Sequence, residues 1–595
     1  MAIAGGNILL MTWSLLLSLL FLVPATADYV SKQEFVNRYG ATAATDGSYL
    51  YIDGGTENIE GTGGLNSRNL SYTLTIPLTS SWTNDTVSIS TISKSSDQVI
   101  WSEAVLWWDK ANKTFYQYGG EKVDIQYVDY PDPQLNIWTL TPDGQGGGEW
   151  KEAIDSQSSV WDNITRPNGG LHDIDESTGI GYYLAGFVSN WTSYQWHGIK
   201  NWEPMPIPGL VIFDTHTQTF QNKSSAEFSE YGYAMHGTME VIPTFGDKGI
   251  LVMFGGDDGR NAGTFAEYEQ GQTMRDMSNI TVYDIANNAW YTQTATGDVP
   301  VSRVDFCTVA ASDPDSPSYE IYMLGGYDGS FGTSNDQYNT VYVLSLPSFV
   351  WTRASNATYT PRALLSCVTT GKDNQMMIVG GYDPTQDSLN ASAYVPDSWT
   401  WGIGVLNMSS MSFQDSWDAN ATRYKVPDAV SSEYSSSSES WTNYTPSNGW
   451  TTTGLGLVMR QNSKANASSS SSSSTSTSTG TSTSTATASS SSDSSSSNLG
   501  PILGGVLGGL CGICIILVAI LFFLKRLRRK REQNKVAAEV GDQGKYGSDI
   551  HELSASWQNQ NDAKVELPGN GEPNKGKGAN ELDVGAHNGA AHELP

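Results

Sequence analysis

Few residues of this chain combine the type and the spacing that chemistry needs. Four histidines precede residue 429 (His172, His197, His216 and His236), and no two stand at metal-ligand spacing. No Ser/His/Asp signature for acyl transfer is present. Cys307 and Cys367 occupy corresponding positions of successive sequence repeats. An oxidising compartment would let them form a disulfide, and two buried free thiols are the other reading. Cys511 and Cys514 fall inside an apolar run and are read as packing residues. Asp257, Asp258, Asp328 and Asp383 have metal-binding side chains, but each follows a strand end, where Asp accepts hydrogen bonds from its own turn. The segment best suited to recognition is Phe187–Pro208, which carries Trp191, Tyr194, Trp196, His197 and Trp202. Solvent-facing indoles on a rigid scaffold stack on sugar rings or anchor a protein partner. Against this, Pro204, Pro206 and Pro208 suit a loop that packs over its own sheet. No catalytic residue, metal ligand or cofactor is assigned.

These residues are set on a repeat. Six times a run of bulky apolar and β-branched residues stops at a small pair: Gly54-Gly55, Gly119-Gly120, Ala185-Gly186, Gly255-Gly256, Gly325-Gly326 and Gly380-Gly381. The second glycines lie 65, 66, 70, 70 and 55 residues apart, so the chain is a repeat protein. In four repeats an apolar residue stands seven positions before an aromatic: Phe213 and Phe220, Tyr283 and Trp290, Leu344 and Trp351, Leu406 and Phe413. In the second repeat an insertion, Gly144–Gly148, delays Trp150. A further short strand, such as Met235–Pro243 or Asp305–Ser312, is predicted before each pair. Each repeat thus reads as about four strands. One such sheet cannot bury both faces alone, whereas a radial set can.

The strand ending in Gly-Gly and followed by a spaced Tyr and Trp resembles the kelch motif. The resemblance covers roughly residues 30–420, and it implies an all-β fold, a β-propeller of six blades. How the ring closes stays open: Gly449–Met459 is read as a closing strand or a partial seventh blade. Kelch propellers include galactose oxidase, so the resemblance also raises copper-radical oxidation as an alternative. The four histidines do not supply its ligand spacing.

Both ends of the chain point to a membrane. Residues 1–27 contain an apolar core and end in Ala25-Thr26-Ala27, which reads as a secretory signal. The propeller is assigned to residues 28–428 and a disordered Ser/Thr-rich stalk to 429–499; between Ser468 and Ser497 only Gly480, Ala486, Ala488 and Asp493 are neither Ser nor Thr. An uncharged run at 500–524 has the length of a transmembrane helix, and the basic residues Lys525–Arg531 place the disordered tail, 525–595, in the cytosol. Gly504, Gly505, Gly508, Gly509 and Gly512 give that span a small-residue face that favours a homodimer. N-glycosylation sequons begin at Asn69, Asn84, Asn112, Asn163, Asn190, Asn222, Asn279, Asn356, Asn390, Asn407, Asn420, Asn443 and Asn466, all before the span. The net charge is −29, while the tail holds 11 basic and 11 acidic residues, so the deficit lies ahead of the span. Such a surface repels phosphate and excludes nucleic acid as a partner.

The layout resembles that of anchored kelch proteins of filamentous fungi, with propeller, stalk, single span and short tail. It predicts a plasma-membrane protein, ectodomain outside, that recognises a wall glycan or an extracellular protein without catalysis. A wall-stress sensor signalling through its tail is the first alternative, and the copper oxidase the second.

Overall fold

Alternating apolar runs broken by Gly-, Asp- and Asn-rich turns give antiparallel hairpins almost throughout. The computed structural model describes residues 29–61, 63–122, 135–193, 204–258, 274–316, 318–435 and 444–460. The expected signal, stalk, span and tail therefore lie outside the described residues. No helix among the described residues is long and apolar enough to cross a membrane. The described chain forms six main sheets, each from one contiguous stretch: five are four-stranded and antiparallel, and the fifth adds to its four antiparallel strands a short parallel edge strand, Thr296–Gly297, beside Val350–Trp351. Their innermost strands are Thr42–Thr45, Val105–Asp109, Leu171–Asp175, Thr238–Ile242, Val304–Ala311 and Ala363–Thr369. Each innermost strand lies beside that of the next sheet, and the sixth lies beside the first. A cavity of about 440 Å³ runs between them, with residues of all six in its wall. The architecture is all-β and consistent with a β-propeller.

The spaced aromatics sit where a hairpin of third and fourth strands brings them face to face. Phe213 pairs directly with Phe220, Tyr283 with Trp290, Leu344 with Trp351 and Leu406 with Phe413. In the second sheet Leu140 faces Trp150, so the glycine insertion lengthens the turn and leaves the pairing intact. These rings seal the gaps between sheets. Trp351 is buried and donates its indole N–H to the Met277 carbonyl (3.0 Å), and Trp150 reaches Thr73 of the first sheet (3.0 Å). Six hydrophobic clusters result, one in each gap between consecutive sheets, including the gap between sixth and first. An indole that buries its body and satisfies its N–H is well suited to that position.

Closure differs from the expected closing strand. Every sheet is complete within its own segment, and Gly449–Met459 contributes no strand. Residues Thr453–Arg460 form a helix instead. Thr452 caps it by accepting from the Leu455 N–H (3.2 Å), and Leu455, Val458 and Met459 pack between the fourth and fifth sheets. The apolar spacing over 455–459 is helical rather than alternating, which explains the outcome. The first and sixth sheets are instead held by two short clasps. The strand Phe35–Tyr39 lies along the sixth sheet, where the Asn37 amide donates to the carbonyls of Ser392 and Val395 (both 2.9 Å). Ser416–Trp417 pairs with Trp82–Thr83, and the Trp417 indole donates to Leu78 (3.0 Å).

Candidate functional site

The small pairs bend the chain out of each second strand and press it against the next sheet. A Cβ on Gly325 would stand 2.7 Å from the Arg362 carbonyl oxygen, and the backbone there is left-handed at φ +78°. The second glycine of each of the first five pairs donates its N–H to the following sheet, as Gly326 does to Arg362 (2.9 Å) and Gly256 to Arg303 (3.0 Å). Buried arginines hold the same bend from the other side: Arg166, Arg303 and Arg362 donate to the carbonyls of Gly119, Gly325 and Gly380 at 2.7, 3.0 and 2.7 Å.

A second ring of six residues lies just ahead of, or at the start of, the innermost strands. Gly40, Glu103, Gly169, His236, Asp305 and Leu364 all have left-handed backbone, with φ between +54° and +65°. Their peptides join neighbouring sheets: Glu103 N–H donates to Gly40, His236 to Gly169, Asp305 to His236 and, across the closure, Gly40 to Leu364. Four of the six are not glycine. A left-handed residue with a side chain is strained by roughly 1–2 kcal/mol, and such strain concentrates at functional sites.

The four meet at one mouth of the central channel, around a cavity of about 620 Å³. Its walls are aromatic (Phe187, Trp191, Tyr327, Phe331 and Tyr382) and its carboxylates are Glu103, Glu121, Asp305 and Asp387. His236 is the one basic side chain among the described lining residues, with Nδ1 3.6 Å from Asp257 Oδ2. Burial pushes the Glu103 carboxyl up to about 7 and the Glu121 carboxyl up to about 8, although the charge of His236 pulls both down. Burial also raises Asp305. For His236 burial acts downward, but Asp305, Asp257 and Glu103 outweigh it and raise the imidazole to about 10. The mouth therefore holds a charged imidazolium among carboxyls that are reluctant to ionise.

Deeper in the channel the acids are protected rather than presented. Asp173 accepts from the Val241 N–H (2.6 Å) and burial pushes it up to about 7. Glu240 bonds Thr308 and is raised by burial and by Asp173. His172 is pushed down to about 4 by burial and stacks on Tyr183. His216 stands elsewhere, 3.4 Å from Asp109. Among the described residues, no group of three or more His, Cys, Asp or Glu is placed to hold a metal ion.

Of the residues singled out from sequence, Trp191 lies in the mouth wall, half-buried. Tyr194, Trp196, His197 and Trp202 lie outside the described residues. Asp328 and Asp383 accept from the N–H groups of Ser330 and Thr385 (both 3.0 Å) in their own turns. Asp257 departs from that pattern and turns to His236. Cys307 and Cys367 form a disulfide, Cα atoms 5.5 Å apart, between the innermost strands of the fifth and sixth sheets. Ten sequon asparagines have described side chains and none is buried; Asn443 and Asn466 lie outside the described residues.

Sequence reasoning missed Glu103, Glu121 and Asp305, and weighed His236 only as a metal ligand. A signal was present: positions 40, 103, 169, 236, 305 and 364 keep nearly the same period as the small pairs. Aligning the repeats on those pairs alone would not have found them, because Glu103, His236 and Asp305 stand 17, 20 and 21 residues before the second glycine of their pairs. Solvent exposure favours the same side of the molecule. Of the five exposed large apolar residues among those described, Met205, Tyr231, Leu389 and Tyr394 occupy connections that emerge at this mouth, and only Leu457 does not.

No protein-family model matches the chain. A kelch repeat-containing protein of Arthroderma benhamiae is 25% identical over 445 residues. The match takes in 68% of this chain and 63% of that protein, so this chain spans less than two thirds of the relative's length. The sequence period and the all-β architecture agree with that similarity to a kelch repeat-containing protein.

Proposed function

We propose that the six sheets are the blades of a closed propeller that works as a binding module, and that its ligand seats at the mouth ringed by Glu103, His236, Asp305 and Leu364. The observation that carries this reading is the cavity of about 620 Å³ bounded by five aromatic side chains and four carboxylates. Ligand sites are concave, with apolar walls and a few convergent polar groups. Strained backbone at the same mouth and the bias of exposed apolar residues toward it support the choice of face. The kelch repeat-containing homologue supports interaction rather than chemistry as the role. From sequence come the remaining parts of the proposal: a secreted, glycosylated head on a Ser/Thr stalk, anchored at the plasma membrane by one span that favours a homodimer. Its ligand is then a surface glycan or an extracellular protein.

The test is a screen of the full chain, in detergent, against wall polysaccharides, a glycan array and extracellular protein fractions. Saturable binding weakened about tenfold or more by Trp191→Ala, and unchanged by Leu457→Ala at the opposite end, is the expected result. Binding that falls with Leu457→Ala and survives Trp191→Ala would place the site on the other face and end this reading.

A further inference from the structure

The mouth carries a chemical bias beyond its shape. Four carboxylates line it, and no Lys or Arg is among its described lining residues. The one cation among those described residues, His236, is already engaged by Asp257 and Asp305. One polar atom there lacks a partner. Asn168 is 1% exposed and its side chain bonds Glu103, yet its Oδ1 is buried with no hydrogen-bond partner. A buried acceptor without a donor is a standing cost, and it is relieved by a ligand that brings an N–H or O–H group. The wall opposite the acids is aromatic. Trp, Tyr and Phe faces attract cations and also stack on the C–H faces of pyranose rings. Acceptors, acids and aromatic plates together suit a donor-rich, positively charged ring compound and disfavour an anion.

Resting on the reading of the mouth as the ligand site, we propose that it selects an amino sugar with a free ammonium group. The ammonium lies among Glu103, Glu121 and the Asn168 Oδ1, and the ring packs on Trp191 and Tyr382. Such a ligand supplies the missing donor, and its ammonium gives Glu103 and Glu121 the cationic partner that lets them ionise. A neutral or N-acetylated sugar supplies the stacking alone. An acidic sugar brings a further carboxylate to a mouth that already holds four and supplies no cationic partner for them.

The experiment titrates the purified full chain with four probes: a glucosamine hexamer, its N-acetylated counterpart, cellohexaose and a lysine hexapeptide. The glucosamine hexamer is expected to bind at least about tenfold more tightly than the others. Glu103→Gln and Glu121→Gln, which keep shape and remove charge, should each weaken it roughly tenfold, and thermal melts confirm that both variants fold. Trp191→Ala should weaken every sugar that binds. Equal binding of acetylated or neutral hexamers, lost in Trp191→Ala and untouched by Glu103→Gln, overturns the ammonium proposal and leaves the mouth as the site. Tighter binding of the lysine peptide overturns the sugar. Binding that ignores all three substitutions overturns the mouth reading itself, and no binding of the glucosamine hexamer ends the proposal while the broader screen still judges the mouth.

Discussion

At the scale of single residues, the fold rests on positions where a side chain is forbidden and others where a large one is required. Gly325→Ala would place a methyl 2.7 Å from the Arg362 carbonyl at φ +78°, a clash with backbone that no rotamer relieves. A loss of about 3 kcal/mol is expected, since the strain of left-handed Ala adds to the displacement of a neighbouring sheet. Ala185 occupies the equivalent place in the third repeat at φ +56° and is nearly fully buried. Ala185→Gly should therefore be neutral or stabilising by up to about 1 kcal/mol, because a small buried methyl is exchanged for relief of strain. Denaturant titration of the two variants checks both signs. If Gly325→Ala matched the parent, the close approach would not be structural. Trp351 is the converse case: its buried ring fills the gap between fourth and fifth sheets and its N–H is satisfied by Met277. Trp351→Ala should cost about 3–5 kcal/mol, and Trp351→Phe less, measured in the same titration.

At the scale of elements, the question is what stops the ring from opening between its first and last sheets. The remaining joints connect sheets that follow each other in the chain, whereas this one joins residues more than 300 positions apart and must overcome the closure entropy of the whole repeat array. The Ser416–Trp417 clasp meets that demand with a fully buried indole against Trp82 (ring centroids 6.5 Å) and a hydrogen bond to Leu78. Trp417→Ala should cost about 3 kcal/mol or more and loosen the first and sixth sheets before the others, seen as faster amide exchange there. Uniform exchange across all sheets in that variant would show that the clasp is not what closes the ring. The sheets themselves were legible in the sequence because each has a strand ending at a small pair, and four of them add an aromatic at a fixed register. The clasps were not, because they depend on tertiary pairing of segments such as Phe35–Tyr39 that carry no repeat signal. Gly449–Met459 misled through its Thr and Val content, which suits a strand, while Thr452 and the 455–458–459 spacing favoured the helix. The mouth was half legible. Trp191 announced itself as an aromatic in an insertion, but Glu103, His236 and Asp305 are scattered over 200 residues and converge only through the ring.

For the molecule as a whole, the balance of buried charge sets the pH at which it is most stable. Burial holds the protons of Glu103, Glu121 and Asp173 to about 7, 8 and 7, well above the carboxylate range of an unfolded chain, and it raises Glu240 as well. Above pH 4–5 the unfolded chain gives these protons up while the folded chain keeps them, so stability falls as pH rises through 7 and 8. His236 acts in the same direction: raised to about 10 by its carboxylates, it contributes fully below pH 6.5 and its contribution is lost toward 10. The opposite limit is set by Glu57, whose carboxyl is held low against its burial by Arg38 and Arg68, and by Asp109, held low by hydrogen bonds from Asn112 and Thr215. Their contribution is present above the ordinary carboxylate pKa and disappears as pH falls below it. A net charge of −29 with a sequence pI near 4.5 adds general repulsion on the alkaline side. The melting temperature should therefore peak near pH 5 and decline steadily to pH 9. The double variant Glu103→Gln, Glu121→Gln should flatten that decline between pH 5 and 8, since neither position then has a proton to lose. A peak at neutral pH, or a decline unchanged in the double variant, would mean that these carboxyls are ionised in the folded mouth. The site would then carry its full negative charge without a ligand, and its affinity for a cation would not vary across that pH range.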